Sequence, residues 1–357
     1  MINFAVGPVQ SPEEICRIGG EQVPYFRTAE FSALMKESEA WMKILAKASD
    51  RSRALFLTGS GTMAMEAAVA NTLTGEDKAL VVNGGSFGER FVELCEVYRI
   101  PFDQIKLDFG TTLKEENLRP YEGKDYTVFL VNVGETSSGI LYDMDLISDF
   151  CKRNGLFLIC DCISSFLADP FDMEKLGANI MITGSQKALA CAPGVSILVL
   201  DETALEKVEK ADVRSLYLDL QRALNNMDRG QTPFTPAVGI LIQIHERLKQ
   251  IMEDGGVEEE NKRHKARAAY FRNKIQELSF ELVAETPSNA VTSLRPLKGK
   301  ATEIFETLKN EYGIWICPNG GVWKDSVFRV GHLGDLKEKE YDILMEAFKD
   351  LERRGIC

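Results

Sequence analysis

The stretch Gly184-Ser185-Gln186-Lys187-Ala188-Leu189-Ala190-Cys191-Ala192-Pro193-Gly194 decides how this chain is organised. It lies between two apolar runs, residues 179–183 and 195–200, which we predict to be short buried strands. Lys187 therefore lies in a loop at the end of a strand, among small residues. Such crowding removes water from the amine and disfavours its charged form. A lysine that forms an imine needs this effect, because only the uncharged amine can react. A solvated lysine in a surface loop is the alternative that this stretch alone leaves open.

The composition is that of a soluble globular protein. The chain has 357 residues, of which 45% are apolar and 27% charged, and its formal net charge is −12. This length suits about two domains. The negative charge argues against nucleic acid and anionic membranes as main partners, but a locally basic site for an anionic substrate remains compatible with it.

The sequence gives no sign of export, membrane insertion or metal binding. Residues 1–8 lack the basic start of a signal peptide, and no apolar run approaches the ~20 residues that span a bilayer. The eight cysteines are scattered, none forms a CxxC pair, and only three histidines exist. We therefore expect no disulfide framework, no metal site and a location in the cytoplasm.

A glycine turn between a strand and a helix forms a candidate anion site. We predict a strand over residues 54–58, a turn over 59–62 and a helix from Met63 to about Leu73. Glycine lets the backbone approach an anion closely, and the free amides of the first helical turn point towards it. A tight turn that binds no ligand is the alternative.

Two charged residues occur where an uncompensated charge would be costly. Asp161 ends the apolar run 156–160, and Arg329 lies inside the apolar segment 326–334. A buried carboxylate needs a partner, and a guanidinium in such a strand needs an anion, for which a carboxylate is the best geometric match. Since Lys187 follows Asp161 by one strand–helix–strand step, both can converge at the carboxyl edge of one sheet. A hydrogen-bonded core aspartate or helix cap, and a structural salt bridge for Arg329, are the alternatives.

These segments together resemble the class V aminotransferases of the pyridoxal-phosphate fold-type I superfamily. The resemblance rests on Ser-Gln-Lys-Ala closed by Pro-Gly within 185–194, on Thr58–Glu66, and on Phe-Arg-Val-Gly-His at 328–332. The alanine–glyoxylate and serine–glyoxylate branch carries similar segments. The family implies an α/β fold, with a mostly parallel sheet flanked by helices in a large domain and a smaller C-terminal α+β domain. We place these domains at residues 21–245 and 246–357, with an N-terminal segment, 1–20, at the mouth of the active site.

The resemblance also implies a set of site residues. Lys187 would form the Schiff base with pyridoxal phosphate, Asp161 would pair with the pyridine nitrogen, and Arg329 would bind the substrate carboxylate. Phe87 would stack on the ring, Thr136 would contact the phenolic oxygen, and phosphate contacts would come from Ser60, Gly61, Thr62 and Gln186. Thr232 and Thr235 would reach the phosphate of the partner subunit in a homodimer. Packing in the core for Phe87 and a helix cap for Thr235 are the alternatives.

The expected activity is transfer of an amino group from a small amino acid, of the alanine or serine type, to a 2-oxo acid such as glyoxylate or pyruvate. A 2-aminoethylphosphonate–pyruvate transaminase is the alternative, and it would need a further basic residue, for which Arg27 and Arg90 are candidates. A second alternative is a lyase of the cysteine desulfurase type. It is less favoured, because such lyases carry histidines where this chain has Gln186 and Phe87. A cofactor-binding regulator without turnover is a third possibility.

Two further segments carry predictions about secondary structure. Residues 1–30 are predicted to be irregular, because Pro8, Pro12 and Pro24 interrupt them. Residues 201–231 are predicted to be helical and polar.

Overall fold

The computed structural model describes all 357 residues. Its strands are, in chain order, β1 (Ile2–Asn3), β2 (Arg53–Thr58), β3 (Ala79–Asn83), β4 (Phe102–Lys106), β5 (Val128–Asn132), β6 (Gly134–Glu135), β7 (Ile140–Leu141), β8 (Phe157–Asp161), β9 (Ile180–Gly184), β10 (Val195–Leu200), β11 (Phe280–Leu282), β12 (Val291–Pro296), β13 (Ile314–Trp315), β14 (Cys317–Pro318) and β15 (Phe328–Gly331).

The helices alternate with these strands through most of the chain. They are α1 (Glu13–Gly19), α2 (Ala29–Leu45), α3 (Gly61–Thr72), α4 (Gly88–Tyr98), α5 (Glu115–Leu118), α6 (Met144–Asn154), α7 (Met173–Leu176), α8 (Glu202–Lys210), α9 (Leu220–Met227), α10 (Val238–Glu253), α11 (Gly256–Ile275), α12 (Ala301–Tyr312) and α13 (Glu338–Arg353). Two 3-10 turns cover Arg119–Tyr121 and Gly321–Trp323. None of the helices combines the length and the apolar composition that crossing a bilayer requires.

A seven-stranded sheet forms the centre of the larger part of the molecule. Its strand order is β2-β10-β9-β8-β5-β3-β4, and only β10 runs antiparallel to its neighbours. Every residue of β3, β5, β8, β9 and β10 is buried, as expected for strands whose two faces are both covered by helices. The prediction of a mostly parallel sheet flanked by helices is confirmed.

A smaller sheet, β11-β12-β15-β14, is antiparallel and has its own core. This second core contains 20 buried residues, against 79 in the first. Helix α11 joins the two, because Val257 at its start packs in the first core, whereas Phe271 and Ile275 near its end pack in the second. The N-terminal strand β1 pairs with β13, and Phe4 belongs to the second core.

Two predictions about secondary structure need correction, and one strand lacks a prediction. Residues 1–30 are not wholly irregular, because they contain β1 and α1. Residues 201–231 form two helices, α8 and α9, separated by non-helical residues 211–219, and Asp219 caps α9 by accepting from the amide of Arg222. The edge strand β4 is not predicted, because its sequence, Phe-Asp-Gln-Ile-Lys, contains no apolar run.

Candidate active site

Lys187 lies in the loop that follows β9 and is 8% exposed. Its Nζ donates to the backbone oxygen of Val6 at 2.8 Å. Burial lowers the pKa of Lys187 to about 8, and the charge of Arg329 acts in the same direction, while Cys317 and Asp161 oppose it. This amine is therefore uncharged more often near neutral pH than an ordinary lysine.

The N-terminal segment packs directly on this lysine. Gly7 has a φ of +143°, and a Cβ built on it would lie 2.8 Å from Cδ and 3.0 Å from Nζ of Lys187. Real Cβ atoms do not approach other atoms so closely. Glycine at this position thus allows the segment to run along the lysine side chain.

Asp161 is the last residue of β8 and lies at the same sheet edge as the lysine loop. It is 5% exposed, and its carboxylate accepts one hydrogen bond, from the amide of Ile163 at 2.8 Å. Burial raises the pKa of Asp161 to about 6, and the nearby Glu135 adds to this, while the Ile163 amide and the charges of Lys187 and Arg90 lower it. The carboxylate therefore keeps acceptor capacity for a donor from outside the chain.

The start of α3 lies beside the Asp161 loop. A Cβ on Gly61 would be 2.2 Å from Cδ1 of Ile163, so a side chain here would force Ile163 to move. Ser60 occupies the cap position, but its side chain makes no capping hydrogen bond. The first-turn amides, including that of Thr62, have no acceptor within the helix. This end can receive an anion.

Arg329 projects from β15 and forms no ion pair, so the structural salt bridge is not found. Its guanidinium donates to the backbone oxygens of Pro318 at 2.9 Å and Thr136 at 3.3 Å, and its Nε is buried without a partner. Arg329 is half-buried, and its charge and its buried Nε lack a partner, which a substrate carboxylate would supply.

Phe87 and Thr136 lie in loops at the ends of neighbouring strands. Phe87 immediately precedes α4 and is half-buried, and the guanidinium carbon of Arg90 lies 5.2 Å from its ring centroid. Thr136 is buried, and its hydroxyl makes no hydrogen bond within the chain. Both side chains are free to contact a ligand.

The other expected phosphate residues differ in their availability. Gln186 is half-buried and its side chain makes no hydrogen bond, whereas the hydroxyl of Thr232 donates to the oxygen of Phe234 at 2.8 Å. Thr235 is exposed and does not cap a helix, because the cap position of α10 is Ala237.

Sequence reasoning missed two residues of this region, Gly7 in its contact with the lysine and Glu135. Glu135 is fully buried and accepts from the amides of Phe87 and Gly88 at 3.2 and 3.0 Å. The sequence does indicate Glu135, because a carboxylate that follows an apolar strand needs hydrogen-bond donors or a cation, as Asp161 does.

The residues present fit pyridoxal phosphate and an amino acid. Lys187 offers an amine of lowered pKa, Asp161 has a free acceptor, α3 has a free N-terminus, and Arg329 has a free donor. These four features correspond to the carbonyl, the ring nitrogen and the phosphate of the cofactor and to the carboxylate of the substrate.

Comparisons with known proteins identify the family of this chain. The family model of class V aminotransferases matches residues 24–320. An uncharacterized aminotransferase of Methanocaldococcus jannaschii is 30% identical, over 94% of this chain and 88% of its own length. The L-aspartate–glyoxylate aminotransferase of Paracoccus denitrificans is 27% identical, over 94% and 87%. The 2-aminoethylphosphonate–pyruvate transaminase of Bacteroides fragilis is 26% identical, over 87% of both chains.

The fold agrees with that of a solved aminotransferase. The aspartate aminotransferase of subgroup IV from Thermus thermophilus superposes with a TM-score of 0.92, over 99% of this chain and 100% of that one, at 24% identity. This chain therefore belongs to the class V aminotransferases, has the pyridoxal-phosphate fold type I, and is an enzyme that transfers amino groups with that cofactor.

Proposed function

We propose that the enzyme moves an amino group from a small amino acid, of the alanine or serine type, to a 2-oxo acid such as glyoxylate or pyruvate. The observation that carries this proposal is the unpaired, buried Nε of Arg329, close enough to Lys187 for its charge to lower the pKa of the amine. A donor substrate held by its carboxylate at Arg329 would present its α-carbon towards the amine of Lys187.

Bound pyridoxal phosphate supplies an electrophilic carbonyl and a ring that accepts electrons. In our proposal Lys187 Nζ would hold the carbonyl carbon of the cofactor, and the amine set free by the donor would accept the proton of the substrate Cα on its Nζ. The carboxylate of Asp161 would accept from the ring nitrogen and keep that nitrogen protonated. Phe87 would pack on the ring, and Thr136 would donate to its phenolic oxygen.

The phosphate would be held at the start of α3. The first-turn amides carry the positive end of the helix dipole, and the hydroxyls of Ser60 and Thr62 and the amide of Gln186 add donors. Gly61 allows close approach of the backbone.

The two alternative basic residues differ in their availability. Arg27 donates to Gln231 at 3.2 Å and to the oxygen of Thr232 at 2.9 Å, so its guanidinium is already engaged. Arg90 packs against Phe87 and forms no ion pair, so it is the residue that a phosphonate could engage. The engagement of Arg27 therefore favours alanine or serine, and Arg90 keeps 2-aminoethylphosphonate as the alternative donor.

The lyase alternative has less support. A desulfurase needs a reactive cysteine on a mobile loop, and Cys317 lies instead in β14, where it pairs with Arg329 in the register of the small sheet. Transfer of the amino group is therefore the proposed outcome for a bound amino acid.

We also propose a homodimer in which Thr232 and Thr235 of each chain approach the partner's phosphate. Four large apolar side chains are exposed near this segment, Val23, Tyr25, Leu216 and Tyr217, and Tyr217 stacks on Phe234 with ring centroids 5.4 Å apart. Large apolar side chains exposed beside this segment would be covered by a second copy of the chain. The hydroxyl of Thr232 would have to leave its present acceptor to reach a phosphate.

Two further proposals concern location and domain limits. We propose the cytoplasm, in keeping with eight unpaired cysteines. We keep the division into residues 1–20, 21–245 and 246–357, with the qualification that α11 contributes to both cores.

A spectroscopic titration tests the substrate proposal. Alanine or serine should convert the visible absorbance of the holoenzyme in a single half-reaction, and glyoxylate or pyruvate should restore it, with ping-pong kinetics at steady state. Conversion by 2-aminoethylphosphonate but by neither amino acid would contradict the substrate proposal and leave the family assignment unchanged.

A further inference from the structure

Glu135 is a buried carboxylate without a cationic partner. It is 0% exposed and forms no ion pair, yet it accepts hydrogen bonds from five donors. One oxygen accepts from the amides of Phe87 and Gly88 and from Asn132 Nδ2 at 2.9 Å, and the other accepts from the amide of Ser137 at 3.1 Å and from its hydroxyl. Burying a carboxylate is costly, and this complete set of donors offsets the cost.

The donors include the residues that begin α4. Phe87 holds the cap position and Gly88 is the first helical residue, so Glu135 supplies the anion that the start of this helix favours. The loop also passes closely over the carboxylate, because a Cβ on Gly85 would lie 2.6 Å from Glu135 Cδ. The carboxylate thus holds the loop from Gly85 to Gly88 in place through two hydrogen bonds and one close contact.

The same residue connects several parts of the candidate site. Its neighbour Thr136 accepts from Arg329 through the backbone, and Asn132 pairs in register with Asp161. A shift of Glu135 would therefore move the loop of Phe87 and disturb Thr136 at the same time.

We propose that Glu135 is a positioning residue, which holds the backbone at Phe87 and Gly88 so that the aromatic ring lies flat on the bound cofactor. This inference rests on the proposed role of Phe87 as the residue that stacks on the cofactor ring. Glu135 touches neither cofactor nor substrate in this proposal, and it acts through the loop alone.

The test combines two measurements on Glu135→Ala, Glu135→Gln and Phe87→Ala. Hydrogen exchange of the segment 84–90 in the cofactor-free protein reports the two amide bonds directly. The ratio of visible circular dichroism to absorbance in the holoenzyme reports how the cofactor ring is held. Asp169→Asn is the matched control, because Asp169 is also buried and accepts from the amide of Asn289 at 2.8 Å, and its hydrogen-bond partners lie outside the segment 84–90.

We expect Glu135→Ala to speed exchange of the segment 84–90 by about tenfold or more, because two bonds to a charged acceptor are lost. The dichroism ratio should fall at least twofold, and Phe87→Ala should lower it too. Glu135→Gln keeps one acceptor oxygen and should lie between, which covers the case in which Glu135→Ala does not fold. Asp169→Asn should change neither quantity.

Two results would overturn the proposal, and they are distinguishable. If Phe87→Ala lowers the dichroism ratio but both Glu135 variants leave it unchanged, Glu135 does not position the ring. If Phe87→Ala itself leaves the ratio unchanged, the stacking role of Phe87 is wrong, and the proposal that depends on it fails with it.

Discussion

Replacing Gly7 by alanine should disable the enzyme through contact with a single side chain. The added Cβ would lie 2.8 Å from Cδ, 2.9 Å from Cε and 3.0 Å from Nζ of Lys187. Either the N-terminal segment or the lysine must move, and the hydrogen bond from Nζ to Val6 would be lost or lengthened. Since the amine is the group proposed to react, a small displacement affects the chemistry itself.

The expected magnitude has two parts. Backbone strain at a φ of +143° costs about 1–3 kcal/mol of folding free energy for a residue with a Cβ. Displacement of a reacting group by roughly 1 Å costs about 100-fold in kcat. Gly7→Ala should therefore lose moderate stability and much more activity than that stability loss explains.

Gly123→Ala separates the two parts. Gly123 has a φ of +67°, so alanine is strained there as well, but no atom lies within 4 Å of the added Cβ. Urea denaturation gives the stability of both variants, and stopped-flow half-reaction rates give the activity. We expect a smaller destabilisation for Gly123→Ala, because its φ lies in the left-handed region and no clash is added, and we expect unchanged rates. A rate for Gly7→Ala within twofold of the wild type would refute the proposed contact.

Three other predictions concern the charged groups of the site. Arg329→Gln should lower kcat/KM for the donor by about 100-fold or more, because charge-assisted bonds to a carboxylate are lost, whereas Arg295→Gln, on the exposed part of the small sheet, should have little effect; equal rates for both variants would contradict the assignment. Asp161→Asn should abolish most activity, yet stabilise the cofactor-free protein at pH 7 by about 1–3 kcal/mol. The folded pKa of Asp161, about 6, lies above its unfolded value, so ionisation of this carboxyl lowers the free energy of unfolding as pH rises through 6. Asparagine cannot ionise and avoids this loss. Urea denaturation at pH 4 and 7 measures the difference, and a less stable variant at pH 7 would contradict it. Uptake of pyridoxal phosphate by the cofactor-free protein should accelerate as pH rises through about 8, the pKa of Lys187, because the neutral amine is the nucleophile. Stopped-flow absorbance would show this, and a midpoint near 10 would indicate an ordinary, solvated lysine.

Much of the larger sheet could be predicted because its strands are continuous apolar runs. Strands such as β5 and β10 are buried on both faces, and their ends could be located within two residues. Edge strand β4 could not be found in this way, because polar and charged residues alternate with apolar ones over only five positions. The short helix α1 follows Pro12 and contains just one buried residue, Ile15, so it also lacks a clear apolar pattern.

The sequence identifies those residues of the candidate site that place a charge in an apolar segment. It does not identify contacts that depend on backbone conformation. Asp161 and Arg329 could be identified because one is a charged residue at the end of an apolar strand and the other a charged residue inside one. The contact of Gly7 with Lys187 joins residues 180 positions apart and depends on backbone conformation, which the sequence does not express. Glu135, like Asp161, is a carboxylate that follows an apolar strand. Its role was not predicted, because the hydroxyl residues beside it offered a simpler explanation of the segment.

The central claim is that the amine of Lys187 is the group that binds the cofactor covalently. Reduction of the holoenzyme with borohydride, followed by proteolysis and mass spectrometry, tests it most directly. We predict a pyridoxyl group on the peptide that contains Lys187 and on no other lysine, with no label in Lys187→Ala. A pyridoxyl group on a different lysine, or undiminished labelling of Lys187→Ala, would contradict the account.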